Sequence, residues 1–309
     1  MFAPKLDKGD EIRVIAPSFS LAVVWTEKYK RALSYLEGQG FKVTFSKHSR
    51  ELDDWRSSGI ASRVEDIHEA FIDDNVKAIL TAIGGFNVNQ ILEYIDYDII
   101  KRHPKVLCGY SDITALLHAV YAKTGLVTYH GVHFSTFGFE IEEEYTQRAF
   151  LDCVMNDGII KIQPSQTAGR YTVIQYGSCE GTIIGGNLCT LNLLQGTQFM
   201  PQSENTVLFI EDDNIMGDYF KYEFDRNLQS LLQAYGTDKI KGVVFGRFDG
   251  SCNITTDIIR KLISDKLPKE IPVLFGVDFG HVFPMITFPI GGKIRINAIN
   301  TPTIEIINH

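Results

Sequence analysis

Three side chains in this sequence have the types and settings needed for nucleophilic hydrolysis. Ser111, in GYSDIT, falls where the buried run VLCGY turns directly into the helical segment DITALLHAVYAK. A serine on such a turn exposes its hydroxyl at a sheet edge beside a helix N-terminus, where backbone amides can stabilise a developing oxyanion. That setting suits a nucleophile. It equally suits an N-cap, since Ser before Asp is a common helix start. His281, in FGHVFPMITFPIGG, follows the run PVLFG in a loop rich in glycine and proline. Histidine is the usual base for a serine because its pKa lies near neutrality. Glu211 closes the apolar run TVLFIE, and a carboxylate at the carboxyl end of a strand is placed to orient a histidine.

Each of these has a competitor. The segment EDDN also reads as a solvated acidic loop, or as a divalent-cation site built from Glu211, Asp212 and Asp213. Neither a histidine pair nor an EF-hand pattern accompanies it. His130 and His133, in TYHGVHF, compete with His281, but with no evident third ligand they read as packing. The pair Gly84-Gly85 lies between a strand and a helix, where a bare backbone can approach a substrate and offer a second oxyanion amide. Asn87 in the same turn is either a substrate contact or a helix N-cap. There is no GxGxxG or Walker sequence, so dinucleotide and P-loop phosphate binding are unsupported. An ordinary α/β-hydrolase is disfavoured because Ser111 lacks the glycine of GxSxG.

The elements that must position these residues follow from periodicity. Strands are expected at residues 11–16, 42–46, 76–82 and 105–110, alternating with helices at 26–37, 62–71, 88–95 and 112–122. That alternation predicts a doubly wound, mainly parallel α/β domain over residues 1–155. Ligands of such sheets bind beyond the carboxyl ends of the strands, which here are the turns at 16–18, 84–87 and 109–112. Residues 156–179 lose apolar periodicity and read as a linker or substrate loop. Residues 180–309 read as a smaller, strand-rich α+β domain carrying the glutamate and the histidine. Its strands are expected at 181–184, 206–211, 240–245, 272–276, 293–297 and 303–307, and its helices at 220–234 and 257–267.

Composition bounds the partners. A length of 309 residues favours two domains. The net charge of -8 opposes nucleic-acid binding, which depends on lysine and arginine neutralising phosphates. No apolar stretch reaches membrane-spanning length and no leader pattern opens the sequence, so a cytoplasmic location is expected. The five scattered cysteines contain no CxxC pair and read as reduced and mostly buried.

Taken in order, IAPS, AIGGFNVNQIL, LCGYSDITALL, IGGNLCTLNLLQGT, LFIEDD, FGRF and GHVFPMITFPIGG resemble the LD-carboxypeptidase family of serine peptidases, which includes the microcin C self-immunity peptidases. The resemblance implies a Ser-Glu-His triad of Ser111, Glu211 and His281, with the amides of Gly85 and Asp112 as oxyanion hole. It also implies a site between two domains, a homodimer, and no metal or organic cofactor. The segments GGFNVNQ and GGNLCTLNLLQGT look closer to the microcin-immunity branch, which cleaves the amide between a peptide's terminal acidic residue and a nucleotide-like group. The other branch removes D-alanine from muropeptide tetrapeptides. Immunity peptidases carry a nucleobase-stacking tryptophan in the loop before IGGN. This chain has only Trp25 and Trp55, and its residues 164–178 offer Tyr171 and Tyr176 as substrate contacts instead. The resemblance implies a small peptide or peptidyl-nucleotide substrate. The reading of another class is a non-catalytic small-molecule binder that kept the cleft.

Overall fold

The computed structural model describes residues 1–139, 143–167, 169–299 and 301–309. The first half alternates strand and helix, in the order β1 (Glu11–Ile15), α1 (Thr26–Gly38), β2 (Lys42–Phe45), α2 (Ile60–Ile72), β3 (Val76–Thr81), α3 (Tyr97–Arg102), β4 (Val106–Gly109), α4 (Thr114–Thr124), β5 (Thr128–His130) and α5 (Glu143–Met155). β5, β4, β3, β1 and β2 lie side by side and parallel. Every residue of β4, VLCG, is buried, as an apolar run covered on both faces requires. Strand order reverses between β1 and β3, so the crevice of this sheet opens between the turns that follow those two strands.

The second half supplies β6 (Ile160–Ile162), β7 (Thr172–Gln175), β8 (Ser178–Asn187), α6 (Leu188–Asn192), β9 (Thr206–Glu211), α7 (Phe220–Tyr235), β10 (Ile240–Gly246), α8 (Thr256–Ile263), β11 (Val273–Val277), β12 (Phe288–Ile290), β13 (Lys293–Asn297) and β14 (Thr303–Asn308). Seven of these strands and β6 build an eight-stranded sheet in the order β6-β14-β13-β8-β9-β10-β11-β7 if β12 is set aside. Its centre, β8 to β11, is parallel, and its flanks are antiparallel. The architecture is the mixed α/β fold with two sheets that the sequence led us to expect.

Two features differ from the expectation. Residues 156–179 are not a linker: they contribute both edge strands of the second sheet, β6 on β14 and β7 on β11. Ile160 and Ile162, or Val173 and Ile174, are too few to show a period, and their strand state comes from the ladder each joins. Ala168, in the same segment, lies outside the described residues. In addition, β12 leaves the second half of the chain and pairs antiparallel with β5, adding a sixth strand to the first sheet.

α4 joins the two halves. It is buried from Thr114 to Val120, and it packs on β4 and β5 on one side and β8 and α6 on the other. A helix apolar on every face belongs inside a protein. The buried apolar side chains accordingly form one continuous cluster through both sheets.

Candidate active site

Three turns at the carboxyl ends of β1, β3 and β4 are tied together by one carboxylate. Asp112 Oδ2 accepts the Ser18 hydroxyl at 2.5 Å and the backbone N–H groups of Asn87 and Val88 at 2.9 Å each. Burial pushes this carboxyl above its ordinary pKa despite those donors. Arg63 closes the knot from α2, donating to the backbone oxygens of Pro17 at 3.2 Å and Asn87 at 3.0 Å. The Asn87 side-chain oxygen accepts from Ser18 and Arg63, both at 3.3 Å, so this residue is held within the scaffold. It stands at the N-cap position of the 3-10 turn Val88–Tyr94 without a side-chain capping bond.

The knot places Ser111. Its φ of 59° is a left-handed conformation that a non-glycine residue adopts only under constraint. Its side chain does not cap the following helix; Oγ lies 3.0 Å from Nε2 of His281. Gly84 lies directly alongside, and a Cβ there would come within 2.9 Å of Ser111 Cβ and 3.0 Å of Oγ. Gly85 has φ 154°, and a Cβ on it would meet Ser18 Oγ at 2.3 Å. Glycine fits both positions without displacing a neighbour, and at Gly85 the backbone conformation itself favours it.

The partner side chains arrive from the second half. Glu211 ends β9, and its neighbour across the ladder is Asn187 at the end of β8. Two polar residues of α4 lock β8 in place: Thr114 Oγ1 accepts the Asn187 N–H at 3.2 Å, and His118 Nε2 accepts the Gly185 N–H at 3.2 Å. The nucleophile's own helix therefore positions the strand next to the glutamate. His281, in the loop after β11, donates from Nδ1 to Glu211 Oε2 at 2.7 Å. With the ring neutral, Ser111 donates to Nε2.

The electrostatics favour a charged histidine. Burial opposes the imidazolium, but the carboxylates of Glu211, Asp213 and Asp212 outweigh it and raise the His281 pKa to about 9. Glu211 is fully buried, yet His281 holds it below the ordinary range against that burial. Asp213 Oδ2 stands 3.8 Å from His281 Nε2, a second carboxylate on the ring's nucleophile-facing nitrogen. Burial, with Glu211 and Asp213, pushes Asp212 up to about 8. It accepts from Asn187 Nδ2 and from the Asp213 N–H, both at 3.1 Å.

The structure thus brings Ser111, Glu211 and His281 into one hydrogen-bonded chain beside Gly85 and Asp112. The two tyrosines differ in setting. Tyr171 is buried beside Tyr145 and Asp278, and Tyr176 is 69% exposed at the amino end of β11, the opposite end of that strand from the His281 loop. His130 and His133 are buried and neutral: burial lowers His130 to about 4 and holds His133 well below its ordinary value. The first stacks on Phe288 and the second on Tyr110. Among the described residues no group of His, Cys, Asp and Glu is disposed to hold a metal, and no helix is long and apolar enough to cross a membrane. Ser18, His118 and Asn187 belong to the site and were not singled out from sequence, and Asp213 was named there only in the acidic loop or cation-site reading. Ser18 was detectable as part of the turn after β1, whereas His118 looks like any residue of an amphipathic helix.

Residues 12–131 match the LD-carboxypeptidase N-terminal domain, and residues 180–296 match the LD-carboxypeptidase C-terminal domain. The chain is 47% identical to YocD of Bacillus subtilis (strain 168), a carboxypeptidase by name, with all of both chains aligned. It is 32% identical to a B. subtilis protein named as a murein peptide carboxypeptidase, covering 98% of this chain and 94% of the relative. It is 30% identical to the microcin C7 self-immunity protein MccF of Escherichia coli, covering 97% and 94%. Among solved structures, an MccF-like protein from Bacillus anthracis str. Ames matches with a TM-score of 0.97 at 45% identity over the whole of both chains. MccF in complex with aspartyl sulfamoyl adenosine matches with a TM-score of 0.89 at 28% identity, covering 100% of this chain and 99% of that one.

Proposed function

This chain belongs to the LD-carboxypeptidase family, and from that premise we propose that it is a serine peptidase with Ser111 as nucleophile, His281 as general base and Glu211 as the group that orients the histidine. The observation that carries this reading is the hydrogen-bonded chain from Ser111 through His281 to the buried Glu211. His281 removes the Ser111 proton as Oγ attacks the scissile carbonyl, and the amides of Gly85 and Asp112 receive the oxyanion. His281 then protonates the leaving amine, an acyl-serine forms, and water activated by the same histidine hydrolyses it.

The bond cleaved is an amide at the carboxyl end of a small peptide, or one joining an aminoacyl or peptidyl group to a nucleotide-like moiety. Similarity to MccF, which has been solved with aspartyl sulfamoyl adenosine, supports the conjugate. Similarity to a murein peptide carboxypeptidase supports the second reading, an L,D-carboxypeptidase acting on muramoyl tetrapeptide. The protein is taken to act as a homodimer in the cytoplasm, which light scattering and fractionation would check.

Ser111→Ala is expected to reduce hydrolysis of both aspartyl sulfamoyl adenosine and muramoyl tetrapeptide by at least about a thousandfold, with folding intact. Turnover at the wild-type rate in that variant would remove the assignment. Tight ligand binding with no turnover by the wild-type protein would favour the non-catalytic binder.

A further inference from the structure

Lys28 is a cation that the proposed chemistry leaves without a role. Lys28 lies in the first turn of α1, at the sheet end where the strands deliver Ser18, Gly84 and Ser111. Its stem is packed: a Cβ on Gly138 would fall within 2.6 Å of Lys28 Cγ and closer still to its carbonyl oxygen. Its ammonium stands 3.2 Å from the centre of the Phe139 ring. Among the described residues it has no carboxylate partner and makes no hydrogen bond. Two other basic side chains differ. Arg63 is spent on backbone oxygens, and Arg247 pairs with Asp278 at 3.1 Å.

A chain of ring contacts leads from this ammonium toward the reacting groups. Phe139 packs on Phe283, with ring centres 4.8 Å apart, and Phe283 is two residues beyond His281. The Lys28 charge also reaches His133, whose Nε2 would lie 3.5 Å from a Cβ on Gly84, the glycine that flanks Ser111. Charge is thereby divided across the site: the acidic residues 211 to 213 gather on the second sheet's side and the Lys28 ammonium stands on the first sheet's side. The leaving amine must face His281 to receive its proton, and a leaving group that follows the Phe283 and Phe139 rings from there would meet Lys28.

We propose that Lys28 is a specificity residue, its ammonium binding the terminal carboxylate of the amino acid that leaves. This inference rests on the serine-peptidase reading. Half-burial, with help from Arg31, brings the Lys28 pKa down to about 8, so the group stays mostly protonated at neutral pH while poorly hydrated. A poorly hydrated cation binds an anion more strongly than one in bulk water. The aromatic ring beneath holds the charge in place without neutralising it.

The experiment compares two L,D-tetrapeptides that differ only in ending as D-alanine or as D-alaninamide, using wild type, Lys28→Met and Lys28→Arg. Wild type should prefer the acid by roughly 10- to 100-fold in kcat/KM, the worth of one charge-assisted hydrogen bond. Lys28→Met should bring that ratio toward one, chiefly by raising KM for the acid, and Lys28→Arg should recover most of it. On the wild-type protein, free D-alanine should inhibit more strongly than D-alaninamide, a measurement that needs no folded variant. An unchanged ratio in Lys28→Met, equal inhibition by the two products, or a loss confined to the aminoacyl-nucleotide conjugate would overturn the assignment. Activity that survives Ser111→Ala would overturn the catalytic reading instead, so the two failures are distinguishable.

Discussion

The histidine at the centre of this site is set by the acids around it. A base whose pKa is raised to about 9 is mostly protonated at neutral pH, and an imidazolium cannot take the serine proton. The kcat/KM profile should therefore fall as pH drops below about 9, with an acid limb well above that of an ordinary histidine. His281, Glu211 and Asp213 interact closely, so this limb is a property of the group rather than of one residue. Glu211→Gln removes the largest attraction holding the proton. It should move the limb downward and reduce maximal kcat by roughly a hundredfold or more, because the amide also permits the wrong tautomer. A limb that stays in place, measured on a substrate titrating outside this range, would show that Glu211 does not govern His281.

At the scale of elements, the site depends on how closely three turns approach one another. Asp112 draws the turn after β1 and the turn after β3 onto the strained turn that carries Ser111. Gly84 is the tightest point of that approach. Its backbone φ lies outside the left-handed region, so alanine meets no conformational penalty there, only the 2.9 Å contact with Ser111 Cβ. Gly84→Ala should then displace the nucleophile by a fraction of an ångström to about one ångström. A misplacement of that size costs about a hundredfold in rate. Thermal unfolding should change by only a few degrees. A variant with wild-type kcat/KM would mean that the turn relaxes without moving Oγ.

For the whole molecule, the same buried charges link activity to stability. His281 rises from 6.5 to about 9 on folding, so its contribution is fully present below about 6.5 and is lost as pH climbs through 9. Asp212 rises from 3.8 to about 8; the folded state resists its ionisation, and stability declines over that interval. Glu11 moves the other way. Burial opposes its charge, but Lys42, Thr44 and Arg13 hold it at about 2, so its contribution is lost as pH falls from its ordinary value of 4.5 toward 2. The melting temperature should therefore be highest in mildly acidic solution and fall from there toward pH 9. Asp212→Asn keeps the acceptor for Asn187 but cannot ionise, so it should flatten that alkaline fall in scanning calorimetry. An equal fall in the variant would place its origin elsewhere.

The sequence alone identifies the residue types and their local settings: Ser111 and His281 each follow a short apolar strand and Glu211 ends one, and strand ends are where an α/β sheet presents its ligands. It also carries the alternation that makes the first sheet parallel. It does not bring the three residues together, because Ser111 and His281 are 170 positions apart and their meeting depends on long-range pairing. That meeting is decided by α4 binding the backbone of β8 and by β12 crossing into the first sheet just after the His281 loop. The edge strands within residues 156–179 were invisible for the same reason. A three- or four-residue strand has too little period to read, and it exists only because a neighbouring strand leaves hydrogen bonds open to it. Chemistry in this protein is written locally, while geometry is supplied by contacts across the whole chain.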